Sequence, residues 1–219
     1  MTTPFEDVAD AAHNAVLLEE VARMAQELHD ELELAAIRFV PAASPPLRAA
    51  PQTSAAQRAE MVRLAIAGNP AFGLDLRELA RTGPSYTFDT LSELRAELGA
   101  NVPLALLLGG DAFLGLPGWH RWQELPQLAH MVVAHRPGAV PDATRMPPEL
   151  QALWQQRASA NSADLHSSAA GRIFLQRITA LDISASHIRR TLQQGHSARY
   201  LLPEAVSDYI GAQRLYPPS

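Results

Sequence analysis

The stretch Leu104–Leu108 is apolar at every position and stops at once at Gly109-Gly110-Asp111. A short apolar run with no alternation suits a strand buried on both faces, and that means a parallel sheet sandwiched by helices. Similar short runs recur along the chain. Ile37–Val40 is β-branched and aromatic and is halted by Pro41. Met131–Ala134 leads to a turn at Arg136-Pro137-Gly138, and Ile173–Leu175 is a further strand candidate. Between them lie segments of helical period, so the order predicts an α/β doubly wound parallel sheet with helices on both faces. Ligands of such sheets sit beyond the carboxyl ends of the strands, which directs attention to the polar segments that follow each run.

The helical segments are legible from spacing. Leu17, Val21, Met24, Leu28 and Leu32 recur at gaps of four, three, four and four, predicting a helix within 11–34 with one buried face. A proline-rich loop over 41–53 precedes a second helix over 54–67 that Gly68 ends. Leu91, Leu94 and Leu98 mark a third helix, and a tryptophan-rich helix is expected near 119–128. Residues 137–170 read as loop with a short helix near 149–154; two helices, near 184–194 and 203–212, close the chain. No internal repeat is visible, and the 219 residues are expected to form one domain, with 1–12 atypical.

Composition excludes several classes. There is no cysteine, hence no disulfide framework, thiolate zinc site or cysteine nucleophile. All 18 basic residues are arginine, set against 23 acidic ones, for a net charge of −5. A mildly acidic chain without a basic cluster is a poor nucleic-acid binder, though placed arginines can still hold a small anion. No apolar run nears the ~20 residues that cross a bilayer. The start, MTTPFEDVAD, has neither the basic nor the apolar part of a signal peptide, so the expected compartment is the cytoplasm.

Three segments could carry chemistry. In Gly83–Leu91, GPSYTFDTL, hydroxyls and a carboxylate crowd a helix start; either Thr87 or Asp89 caps the helix, or Thr87 and exposed amides bind an anion. Gly109-Gly110-Asp111, followed by Trp119-His120-Arg121-Trp122, allows close backbone approach and a carboxylate for a ribose hydroxyl. The tryptophans there either pack in the core or stack on a flat heterocycle. In Asp182–Arg190, Ser184 and Ser186 open a helix bearing Arg189, which is either a capped helix with a solvated face or a phosphate site. The histidines show no helical metal-site spacing.

In combination these stretches resemble the bacterial nicotinate-nucleotide adenylyltransferase family of the nucleotidyltransferase superfamily. The matching segments are PAASPPLR (41–48), QRAEMVRLAI (57–66), GPSYTFDTL (83–91), LLLGGDAFLGLPGWHRWQEL (106–125), AHMVVAHRPG (129–138), DISASHIR (182–189) and LLPEAVSDYI (201–210). The resemblance implies transfer of AMP from ATP to nicotinate mononucleotide, giving nicotinate adenine dinucleotide and pyrophosphate, with Mg2+ assisting. It implies that Tyr86 and Thr87 hold the nicotinate carboxylate, that Trp119 stacks on the pyridine and that the His120 amide assists. Gly109 would leave room for the ligand, Asp111 would bind a ribose or phosphate, and Arg136 would reach a phosphate. His13, Arg48, Ser184, Ser186 and Arg189 would serve ATP, with His13 and Arg189 acting on the reacting phosphates.

The N-terminus departs from the family signature G-G-x-F-D-P-x-H-x-G-H. Asp10 and His13 align with its aspartate and first histidine, but Glu6 and Asp7 replace the paired glycines and Val16 the second histidine. Leu47 stands where many members carry histidine. A second reading is therefore a homologue that binds a pyridine nucleotide or a protein partner without turnover.

Overall fold

The computed structural model describes residues 18–45, 52–179 and 185–217, apart from the side chains of 18–20, 185 and 186. The strands are β1 (Ile37–Phe39), β2 (Phe72–Leu74), β3 (Ala105–Gly109), β4 (His130–His135), β5 (Ala158–Ser159) and β6 (Ile173–Arg177). The helices are α1 (Leu18–Glu31), α2 (Ala55–Ala65), α3 (Arg77–Ala80), α4 (Thr87–Leu98), α5 (Gly110–Leu114), α6 (Leu125–Leu128), α7 (Pro148–Arg157), α8 (Asp164–Ser167), α9 (Ala185–Gln193) and α10 (Glu204–Ala212). Contacts divide the chain into two units: 1–85 with 181–219, and 86–180.

In the first unit, β1 and β2 pair in parallel, with Ile37 opposite Phe72 and Phe39 opposite Leu74. The Phe39 and Phe72 rings meet edge-on at 5.2 Å. Helix α1 buries Val21, Met24, Ala25 and Leu28, the face that its spacing predicts. Helix α2 opens on a capping box: the Gln57 amide donates to Ser54 Oγ, and the Ser54 amide donates to Gln57 Oε1. Gly68, beyond its end, sits at φ +89°, a conformation that favours glycine.

In the second unit, four parallel strands run in the order β3-β4-β6-β5. Strand β4 lies between two neighbours and is buried from His130 to Ala134. Helices α4, α5 and α7 supply Leu91, Leu94, Phe113 and Leu150 to a core shared with Leu106, Leu108, Met131, Val133 and Ile173 of the strands. Burying these side chains supplies the main drive for the unit to form, at about 1.5–3 kcal/mol for each large one.

Several expectations are corrected. The tryptophan-rich helix over 119–128 does not form. Short 3₁₀ turns occupy 116–118 and 122–124, and only 125–128 is α-helical. Arg121, at φ +53°, interrupts the helical path. The region 137–170 holds more structure than expected: α7 is ten residues long and is followed by β5 and α8. Strand β2 was not visible in the sequence, because Phe72-Gly73-Leu74 is too short and too rich in glycine to stand out from a loop.

Candidate active site

The start of α4 is the best-defined part of the site. Its N-cap is Tyr86, which offers no side-chain cap, so Thr87 and Asp89 do not serve as the N-cap that one reading of the sequence expected. The Tyr86 carbonyl accepts from the Asp89 and Thr90 amides at 3.1 and 3.2 Å. The amides at the tip of a helix carry its positive end, and a site of this kind favours an anion. Against this tip lies the turn at 119–121. The His120 imidazole stacks on Tyr86 at 4.3 Å and meets Phe88 edge-on at 6.5 Å. The Arg121 guanidinium lies 3.5 Å from the Phe88 ring centroid, a cation–π contact.

Arg121 also grips Glu124 with two hydrogen bonds, Nε to Oε1 at 2.7 Å and Nη2 to Oε2 at 2.6 Å. That bond holds the Glu124 carboxyl below its usual range, and the same bond raises the Arg121 guanidinium. Ring contact and fork together hold Arg121 in a left-handed conformation that a residue with a Cβ rarely adopts. Trp119 is half-buried and packs beside the core. Its packing matches the core reading, and its exposed part leaves a surface on which a flat ring could stack.

The carboxyl edge of the sheet brings the next residues near one another in register. Gly109 at the end of β3 pairs with Ala134 of β4, so Asp111 and Arg136 each lie two residues past a paired position. The chain passes from β3 straight into α5, with Gly109 as N-cap and exposed Asp111 in the first turn. After β4, the amide of Ala139 donates to the Arg136 carbonyl at 3.0 Å, and Gly138 takes φ +78°. This is the turn that Arg136-Pro137-Gly138 predicts.

The remaining candidates belong to the first unit. His13, Arg48, Ser184 and the Ser186 side chain lie outside the described residues. Arg189, on α9, is partly buried. The loop after β1 is tied down at both sides. Arg58 donates to the carbonyls of Ala42, Thr53 (2.8 Å) and Ala43 (3.3 Å), while Ser85 Oγ accepts from the amides of Ala43 and Ser44. Arg58 and Phe88 escaped the sequence reading. A charged residue on a helix reads as surface, and nothing local says that Arg58 is 2% exposed. No group of three or more His, Asp or Glu that could hold a metal is present among the described residues.

Known proteins bear on this geometry. Residues 21–191 match the cytidylyltransferase-like family model. A protein of Halorhodospira halophila named "Probable nicotinate-nucleotide adenylyltransferase" is 50% identical over 188 residues, covering 86% of this chain and 84% of that one. Proteins of the same name from Dechloromonas aromatica and Aeromonas hydrophila are 47% and 48% identical, covering 89% and 90% of each chain. Among solved structures, Plasmodium falciparum nicotinic acid mononucleotide adenylyltransferase complexed with NaAD superposes with TM-score 0.61 at 17% identity, over 89% of this chain and 90% of that one. The fold is therefore that of the nucleotidyltransferases, α/β with parallel strands and flanking helices. The chain belongs to the nicotinate-nucleotide adenylyltransferase family, within the cytidylyltransferase-like group.

Proposed function

We propose that this chain is an enzyme of NAD biosynthesis that transfers AMP from ATP to nicotinate mononucleotide, acting as a single nucleotidyltransferase domain in the cytoplasm. A phosphate oxygen of the mononucleotide forms a bond to the α-phosphorus of ATP. The bond from that phosphorus to the bridging oxygen breaks, and the electron pair leaves with pyrophosphate. No covalent enzyme intermediate is needed, so the protein's task is positioning and charge stabilisation.

The observation that carries this reading is the uncapped α4 tip with Tyr86, Thr87, His120 and Arg121 gathered around it. A carboxylate on a flat ring suits a positive helix end beside aromatic rings. Tyr86, Thr87 and the His120 amide would receive that carboxylate, and Trp119 would stack on the pyridine. Gly109, Asp111 and Arg136 would receive the ribose and phosphate. On the ATP side, His13, Arg48, Ser184, Ser186 and Arg189 would meet the triphosphate, His13 and Arg189 at the reacting phosphates. Mg2+ binds through one or two carboxylates and substrate phosphates, so it needs no three-residue cage; when bound it would neutralise triphosphate charge. Asp111, exposed in the first turn of α5, would supply one such carboxylate.

The test is release of pyrophosphate from nicotinate mononucleotide, ATP and Mg2+. Turnover is expected; none at high enzyme concentration would leave only the binding-without-turnover reading. Calorimetry adds a second check. Trp119→Ala should abolish mononucleotide binding, and an unchanged affinity would remove the stacking role.

A further inference from the structure

The turn that carries Trp119 and His120 depends on one side chain for its path. The Trp119 amide donates to the Leu116 carbonyl at 2.9 Å, the Trp122 amide to the Trp119 carbonyl at 3.3 Å and the Glu124 amide to the Arg121 carbonyl at 3.0 Å. Arg121 is the third residue of the tight turn 119–122 and takes φ +53° with ψ 35°. A positive φ at that place favours glycine or asparagine, so an arginine stays there only if its surroundings hold it. Its side chain is fastened at two points. The guanidinium lies 3.5 Å from the ring centroid of Phe88, in the first turn of α4, and forks onto Glu124 through bonds of 2.7 and 2.6 Å. Both partners of the fork are nearly half exposed, 45% for Arg121 and 42% for Glu124. An ion pair so exposed adds little to global stability. Its consequence lies in the path of the turn, which sets His120 against the start of α4 with its ring stacked on Tyr86.

We infer that Arg121 is a positioning residue for nicotinate recognition: fastened between Phe88 and Glu124, it keeps the turn 119–122 in the conformation that presents the His120 amide and the Trp119 ring to the mononucleotide together. The inference rests on the assignment of those two groups to nicotinate mononucleotide in the proposed reaction. A turn set beforehand lowers the ordering cost of binding, and an amide aimed beforehand at a carboxylate discriminates against a carboxamide. Arg121 acts through the backbone and not as a cation offered to the ligand, because its guanidinium is already engaged by the Glu124 carboxylate. The two roles predict opposite effects of removing that carboxylate's charge.

The test uses the full chain and the variants Arg121→Ala, Arg121→Gly, Arg121→Lys and Glu124→Gln. Calorimetry measures nicotinate mononucleotide, nicotinamide mononucleotide and, separately, ATP with Mg2+; the melting temperature is recorded for each variant. Arg121→Ala should weaken nicotinate mononucleotide about tenfold and narrow its lead over the nicotinamide form, because a positive φ without a fastened side chain is strained. Arg121→Gly reaches that φ freely but has nothing to fasten, so it should fall between Arg121→Ala and wild type. Glu124→Gln should weaken nicotinate mononucleotide about two- to fivefold, and Arg121→Lys should weaken it as well, because an ammonium cannot make the planar fork. ATP affinity and melting temperature should stay near wild type, since the candidate ATP residues belong to the first unit. Tighter mononucleotide binding in Glu124→Gln, or full affinity in Arg121→Lys, overturns the inference in favour of a direct cation. Unchanged affinity in Arg121→Ala overturns it too, as does an equal loss of mononucleotide and ATP affinity. Wild-type protein that binds the mononucleotide without turnover refutes the reaction while the variant series still decides the role of Arg121; wild-type protein that binds no mononucleotide refutes both.

Discussion

His130 shows how one residue couples protonation to the fold. It is fully buried at the head of β4, with Nε2 donating to the Ser168 carbonyl at 2.8 Å and Nδ1 accepting from the Arg172 amide at 3.0 Å. Those two partners require a neutral ring protonated on Nε2. Burial pushes its pKa down; the bond to Ser168 opposes this, and the nearby charges of Arg172, Arg95 and His166 push it down further. The unfolded chain therefore binds this proton more readily than the folded one. The sign follows: the contribution to stability is complete above the ordinary histidine pKa of about 6.5 and is lost as pH falls below it. Melting temperature should drop between neutral pH and mild acid, and less steeply in His130→Gln, whose amide cannot titrate. Gly110 gives a second test. A Cβ built there meets Pro141 Cγ at 3.5 Å, an ordinary contact. Gly110→Ala should melt within a few degrees of wild type, so a weakened mononucleotide affinity in this variant would report a close ligand approach. The sequence marked Gly110 as a place of approach. It could not mark His130, because burial there depends on a loop some 40 residues away.

At the scale of elements, the sheet of the second unit rests on Phe113 and on a clamp built from Arg95. Phe113 is fully buried and meets Trp154 of α7 edge-on at 6.0 Å. Phe113→Ala should cost about 3–5 kcal/mol, read as a lower urea midpoint with unchanged slope. Arg95, in the last turn of α4, donates to the carbonyls of Leu128, Ala169, Val102 and Gly99. A planar fork satisfies carbonyls on several segments at once, which the single ammonium of a lysine cannot do. The long strands β3, β4 and β6 were legible in sequence because each contains an unbroken apolar run, 105–108, 131–134 and 173–175. The turn at 119–124 was not. Its two tryptophans and the following Leu125 fit a helical stripe, but the Arg121 contacts with Phe88 and Glu124 hold a left-handed residue in its path.

At the scale of the molecule, ligand binding should register as stability. A ligand that binds only the folded chain at a hundred times its dissociation constant adds about 2.7 kcal/mol. Nicotinate mononucleotide should therefore raise the melting temperature. Nicotinamide mononucleotide, without the carboxylate assigned to the α4 tip in the proposed site, should raise it less. Equal shifts with the two nucleotides would remove the α4 tip as the carboxylate site. The chain carries net charge −5, so its net charge does not draw in an anionic nucleotide.

The sequence by itself determined the class of fold, the buried face of α1 and the strands β3, β4 and β6 of the larger sheet. Each is written in local periodicity or in a contiguous motif, and neither depends on a distant partner. Only the tertiary structure decided that His120 and Arg121 close over Tyr86 and Phe88, and that Arg95 reaches the carbonyls of Leu128 and Ala169. These are contacts between residues far apart in the chain. Their energies come from burial and ring geometry that no local window contains.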